Sequence, residues 1–178
     1  MNIVKCVSWR DCEPQWTQWK DFKKDDPTPQ KLNTAKLYLE METIVGKTPR
    51  RTLGYIKEVP GDPTTTGNIL GCAIVYAKEL PGLSIGGIGK MAVDPKYRLN
   101  GIATQLLDVC IRYMFQAGFH ISILWASVLK VYEKAGYIPL TEKHQETNMM
   151  YRPIHGLPVG WTKEKLLDLK NNPKIGTF

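Results

Sequence analysis

The chain has 178 residues, 43% of them hydrophobic, enough for one domain to bury a core without disulfides or metal. Its four cysteines, Cys6, Cys12, Cys72 and Cys110, form no CxxC pair and have no histidine at ligand spacing, which argues against a zinc site and a disulfide framework. The net charge of +7 comes from 24 basic and 17 acidic residues dispersed along the chain, without the run of like charges that marks a nucleic-acid arm. No stretch has the ~20 apolar residues of a membrane helix and no signal-peptide pattern opens the chain, so a cytoplasmic protein with no membrane partner is expected.

Residues 2–9 alternate apolar and polar side chains and predict a strand. Trp16, Trp19 and Phe22 recur at helical spacing and predict a helix over 13–24, which Asp25-Asp26-Pro27 stops. Residues 29–45 place Leu32, Ala35, Leu37, Leu39, Met41 and Ile44 in a pattern read as a second, longer helix, with Gly46 as its C-cap. Three strands follow as a meander over 51–59, 68–79 and 85–93, the first two separated by the turn cluster Gly61–Gly67.

A helix is expected from Gly101 to Ala117, its apolar face carrying Ile102, Leu106, Val109, Cys110 and Tyr113. Then come a strand over 119–126, a short helix over 128–135 ending at Gly136, and a strand pair over 137–143 and 147–154. The tail 155–178 is expected to be an extension holding a short helix started by Thr162, after a main domain of residues 1–154. The order β-α-α-β-β-β-α-β-α-β-β predicts an α/β (α+β mixed) fold with one crossover helix, not a doubly wound parallel sheet.

The chemistry concentrates in residues 93–104, V-D-P-K-Y-R-L-N-G-I-A-T, a strand end, a tight turn and a helix start. The first N–H groups of a helix have no partner within it, and with the helix dipole they form an anion site. Gly101 carries no Cβ and allows close approach, Ala103 is small, and Arg98 adds positive charge beside the site, an arrangement suited to a pyrophosphate.

Arg98-Leu99-Asn100-Gly101-Ile102-Ala103 resembles the (Gln/Arg)-x-x-Gly-x-(Gly/Ala) signature of the GNAT superfamily of N-acetyltransferases, and Val131–Tyr137, V-Y-E-K-A-G-Y, resembles a second segment of that family. The resemblance implies a GNAT fold: a central, mostly antiparallel mixed sheet of about seven strands with helices on both faces. It implies acetyl-CoA as co-substrate, an amine acceptor, direct transfer in a ternary complex and no metal. Met91, Ala92 and Val93 would pair with the pantetheine arm, beside a bulge eased by Gly86, Gly87 and Gly89. The backbone of Leu99, Asn100, Gly101, Ile102 and Ala103, with Arg98 and the Thr104 hydroxyl, would hold the pyrophosphate. Backbone N–H groups near Ala92 and Val93 would polarise the thioester carbonyl, and Tyr132 would protonate the departing thiolate.

Two positions depart from the family pattern: Trp125 stands where many relatives carry an asparagine, and Gly87 where some carry a glutamate base. The segment from Leu124 to Tyr137 also resembles an aminoglycoside-acetylating branch in which a chain terminus enters the cleft, which would make the Phe178 carboxylate a candidate base. His120, His144 and His155 read first as surface histidines, and Cys110 as an inert buried thiol. The acceptor is not legible: a small amine is favoured, with a nucleic-acid or protein target, or a CoA-binding module without turnover, as the rivals.

Overall fold

The structure is a computed structural model that describes residues 9–20, 28, 36–45, 48–56, 69–140 and 148–169. In chain order it holds α1 (Trp9–Trp19), β1 (Lys36–Val45), β2 (Thr48–Ile56), β3 (Ile69–Leu80), β4 (Leu83–Val93), a 3-10 turn (Pro95–Tyr97), α2 (Ile102–Gln116), β5 (Ile121–Ala126), α3 (Leu129–Lys134), β6 (Ile138–Pro139), β7 (Asn148–Pro153) and α4 (Lys163–Asp168). The strands form one seven-stranded sheet in the order β1-β2-β3-β4-β5-β7-β6. Antiparallel pairing joins β1 to β2, β5 to β7 and β6 to β7, while β4 and β5 run parallel across the α2 crossover. This is the expected mixed α/β sheet with one crossover helix, and its mostly antiparallel pairing is the one the resemblance implies. Among the described residues no helix is long and apolar enough to cross a membrane.

One element differs in kind. The stretch read as a helix over 29–45 is strand β1 from Lys36 onward, paired with β2 from Lys36 opposite Ile56 to Val45 opposite Thr48. Leu37, Leu39 and Met41 recur every second residue, the period of a strand, and Thr43-Ile44-Val45 is a β-branched run that favours one. Pairing with β2 satisfies the backbone in that conformation and overrides the helical pattern. The helix expected over 13–24 begins four residues earlier, at Trp9. The strand expected at 2–9 falls almost wholly outside the described residues, as do the turn 61–67 and the segments 29–35 and 141–147.

Contacts divide the chain into two compact units, Met1–Ile74 with Lys90–Leu107, and Val75–Gly89 with Asp108–Phe178. In the first, Gly71 of β3 lets α2 pack closely. A Cβ there would lie 2.9 Å from Ile102 Cγ2, 3.2 Å from Leu106 Cδ1 and 3.2 Å from the Ala92 carbonyl oxygen. Ile102 and Leu106 are fully buried, so this apolar seam fixes the first turn of α2.

The second unit has its own core of Leu83, Ile85, Ile121, Ile123, Leu140, Met149, Tyr151, Leu166 and Leu169. Leu166 and Leu169, with the partly buried Trp161, come from the tail expected to be an extension. Thr162 caps α4 as expected, its side chain accepting from Lys165 N. Gly86 is enclosed here: a Cβ would fall 2.1 Å from Met114 Sδ, so Met114 fills the space that a side chain would need.

Candidate active site

In the first unit, β4 ends at Val93 and the chain turns into α2 through a braced loop. Asp94 Oδ1 accepts from Lys96 N at 2.9 Å, and the Tyr97 and Arg98 amides donate to the Asp94 and Pro95 carbonyls. The Asn100 side-chain amide donates to the carbonyls of Tyr97 and Arg98, each at 3.0 Å. Leu99 and Gly101 both have positive φ, 62° and 77°, on either side of Asn100. Alternation of left-handed and ordinary backbone turns successive N–H groups toward one point, a concavity that attracts anions. The Gly101 carbonyl then accepts from Gln105 N at 3.0 Å and α2 begins. A Cβ on Gly101 would meet only Gln105 Nε2, at 4.0 Å, so the space there is open. Ile102 is buried, Ala103 half-buried and Thr104 exposed, which keeps the Thr104 side chain at the surface of the first turn.

Arg98 braces the loop from its other side. Its Nε donates to the Val93 carbonyl at 3.2 Å and its terminal nitrogen donates to the Trp19 carbonyl at 3.0 Å. The guanidinium therefore ties the loop to the end of β4 and to the last residue of α1.

Met91 is half-buried, and Ala92 and Val93 are buried. Just before them Lys90 adopts φ of 54°, a left-handed conformation within a strand. Its carbonyl accepts from the Cys72 thiol, and its ammonium lies 4.0 Å from the centroid of the Trp16 ring. The irregularity expected from the glycines thus falls on the residue after Gly89, while Gly86 and Gly87 sit in a regular ladder opposite Ser122 and Ile123 of β5. No composition signal marks Lys90, since lysine carries no preference for positive φ.

In the second unit, Tyr132 sits half-buried on α3. Burial, and secondarily the neighbouring Cys110, push its phenol up to about 12. Tyr132 therefore stays protonated throughout the physiological range, the state required of a proton or hydrogen-bond donor. Its carbonyl accepts from the amides of Ala135 and Tyr137, each at 3.0 Å, and its ring meets Tyr137 edge-on at 6.1 Å between centroids. Cys110 is fully buried and its thiol is pushed far up by that burial, which makes it inert.

The histidines take structural places. His120 Nδ1 accepts from Ser84 N at 2.9 Å, and His155 stacks on Phe115 while its Nε2 contacts the Phe115 carbonyl at 2.8 Å. Trp125 pairs in register with Met149 and packs against the core. Glu79 accepts from the Ser84 hydroxyl at 2.6 Å. His144, Phe22 and Phe178 lie outside the described residues. Among the described residues no three His, Cys, Asp or Glu side chains form a group able to hold a metal ion.

A family model, the acetyltransferase (GNAT) family, matches residues 14–137. Among solved structures, the chain is similar to the NatC complex bound to Gag peptide and CoA, at 24% identity, covering 57% of this chain and 70% of that chain with a TM-score of 0.49. It is similar to a GNAT family N-acetyltransferase from Escherichia coli in complex with CoA, at 18% identity, covering 58% of each chain with a TM-score of 0.47. It is also similar to a spermidine/spermine N-acetyltransferase from Vibrio cholerae, at 16% identity, covering 59% of this chain and 67% of that chain with a TM-score of 0.42. No curated protein sequence matches it.

Proposed function

Because the chain belongs to the GNAT acetyltransferase family, we propose that it transfers the acetyl group of acetyl-CoA to a primary amine, by direct attack in a ternary complex. The observation that carries the cofactor half of this reading is the braced loop with positive φ at Leu99 and Gly101, leading into the first turn of α2. Its N–H groups suit a pyrophosphate, held by backbone from Leu99 to Ala103, with the Thr104 hydroxyl at the rim. The backbone of Met91, Ala92 and Val93 takes the pantetheine arm, and amides near Ala92 and Val93 polarise the thioester carbonyl. Arg98 acts on the pyrophosphate chiefly by fixing the loop's shape and by its charge.

In the reaction, the neutral amine nitrogen forms a bond to the carbonyl carbon and loses its extra proton to solvent. The carbon–sulfur bond breaks, and the thiolate takes up a proton. Tyr132 donates to sulfur as negative charge develops there. Against a reference thiol near ~8.5, a phenol near 12 is a weak acid. Its main contribution is thus a hydrogen bond to sulfur that strengthens toward the transition state; a proton passed to sulfur is replaced on the phenol from solvent, which takes up the one the amine releases. Most of the rate comes from holding donor and acceptor together.

The test is release of free thiol from acetyl-CoA across polyamines, aminoglycosides, amino acids, peptides and nucleic acids. Turnover with one amine class supports the proposal. No release with any acceptor, together with an unchanged melting temperature at millimolar acetyl-CoA, removes it.

A further inference from the structure

The end of α3 is built around one pair of tyrosines. The Gly136 amide donates to the Glu133 carbonyl and the Tyr137 amide to the Tyr132 carbonyl, both at 3.0 Å, while Gly136 takes φ of 81°. This is the Schellman arrangement, with glycine in the left-handed position just past the helix. Such ends commonly carry an apolar contact between the residue that donates last and the one whose carbonyl it meets. Here those two residues are Tyr137 and Tyr132, and the contact is their edge-to-face ring pair. Both the backbone and the ring of Tyr132 are therefore referenced to Tyr137.

Tyr137 is in turn anchored to the sheet. It is 3% exposed, and its hydroxyl lies 2.7 Å from the Ser122 hydroxyl. Ser122 is fully buried on β5, between Gly86 of β4 and Arg152 of β7. Its neighbours along the strand, Ile121, Ile123 and Leu124, are all apolar. A hydroxyl at such a position is unfavourable unless it is hydrogen-bonded, and Tyr137 supplies the partner. Arg152 completes the anchor. Its guanidinium donates to the Ala135 carbonyl and lies 3.8 Å from where a Cβ on Gly136 would stand.

We infer that the Ser122–Tyr137 hydroxyl pair is a positioning device that sets the reach and tilt of the Tyr132 hydroxyl during acyl transfer. The inference rests on the reading of Tyr132 as donor to sulfur. Neither Ser122 nor Tyr137 touches the reacting atoms; both act through Tyr132. A donor that must meet a developing charge tolerates little displacement, so slackening this pair affects turnover more than cofactor binding.

The experiment compares Ser122→Ala, Tyr137→Phe and the double variant, each in the native and in the Tyr132→Phe background. Tyr137→Phe keeps the ring and the helix end, so it is expected to fold. Each single variant should lower kcat about tenfold and leave the KM for acetyl-CoA unchanged. Each should also lower the melting temperature, because one buried hydroxyl loses its partner, and the double variant should recover most of that loss. Its kcat should stay low, since the anchor is gone although no hydroxyl is stranded. In the Tyr132→Phe background the same changes should have no further effect on kcat. Recovery of kcat together with melting temperature in the double variant, or an undiminished effect in the Tyr132→Phe background, overturns the inference. If Tyr132→Phe alone retains native turnover, the donor reading falls and the inference falls with it. If Tyr132→Phe is slow but the pair variants are not, only the inference falls.

Discussion

The Arg98 guanidinium donates to the Trp19 carbonyl at 3.0 Å across 79 residues of sequence, joining the end of α1 to the loop that precedes α2. The same guanidinium holds the Val93 carbonyl. Hydrogen bonds from a charged donor contribute about 1.5–3 kcal/mol each. Arg98→Ala should therefore lower the ligand-free melting temperature by roughly 5 °C or more, at the usual ~2–4 °C per kcal/mol for a domain near this size. Arg98→Lys should recover only part, because one ammonium lacks the fork that spans both carbonyls. An Arg98→Ala protein with the native melting temperature and weakened acetyl-CoA binding would return Arg98 to a purely cofactor-contacting role.

Gly101 and Gly71 affect the cradle in different ways. Gly101 has φ of 77° with open space around it, so Gly101→Val strains the backbone by about 1–2 kcal/mol and directs its branches into the volume proposed for the pyrophosphate. Saturating acetyl-CoA at ~100 times its Kd should stabilise the native protein by about 2.7 kcal/mol, and that melting shift should vanish in Gly101→Val. Gly71→Ala puts no atom into the volume proposed for the pyrophosphate, yet its Cβ would press on Ile102, Leu106 and the Ala92 carbonyl. A loss of about 1–3 kcal/mol is expected, with acetyl-CoA affinity lowered several-fold because the first turn of α2 is displaced. Calorimetric titration of both variants separates steric block from displacement.

Tyr132→Phe removes the hydroxyl and leaves the ring pair with Tyr137 in place. The expected result is a kcat lower by about 10²–10³-fold with unchanged acetyl-CoA affinity, the range for removing one hydrogen-bond donor to a developing anion. Turnover within a few-fold of native on the true acceptor would assign the proton to water and Tyr132 to packing.

The pH dependence has a definite sign. Burial pushes folded Tyr132 up to about 12, above the ordinary phenol value of 10.0, so between those limits the folded state holds more protons than the unfolded chain. Stability from this group is complete below about pH 10 and declines as pH rises toward 12. Tyr137 shifts the same way through burial, and Cys110, whose thiol ordinarily titrates at 9.0 and is also pushed up by burial, opens the window lower. Urea midpoints measured from pH 8 to 11 should fall progressively, and Tyr137→Phe should flatten the fall. In activity, kcat/KM should rise along the titration of the substrate amine and show no falling limb from Tyr132 up to about pH 11. Two amines of different pKa distinguish this from a fixed protein base, whose limb would not move with the substrate.

The turn-to-helix junction at residues 98–104 is legible because glycine, a preceding turn and an apolar helical face each have a local physical signature, and all three coincide there. The Thr162 cap was legible for the same reason. β1 was misread because Leu37, Leu39, Met41 and Ile44 fit both a helical and a strand period over a short span, and the deciding contact, β2, lies further along the chain. The backbone of Lys90 and the reach of Arg98 to Trp19 are hidden for a different reason. A positive φ on lysine and a guanidinium that reaches Trp19 are set by tertiary surroundings, which no window of sequence contains. Nothing in the sequence singles out Ser122 within its strand, and only its full burial beside the Tyr137 hydroxyl gives it meaning.

The side-chain amide of Asn100 bridges the Tyr97 and Arg98 carbonyls, and Leu99 stands 94% exposed. The loop is therefore shaped by its own bonds and does not have to wrap around an incoming anion. Preorganisation of this kind removes ordering entropy from the binding step. Capture of acetyl-CoA should then behave as a simple encounter, its observed rate rising linearly with concentration in stopped-flow mixing, with no plateau set by a closing motion. A plateau would mean that the loop has a second shape.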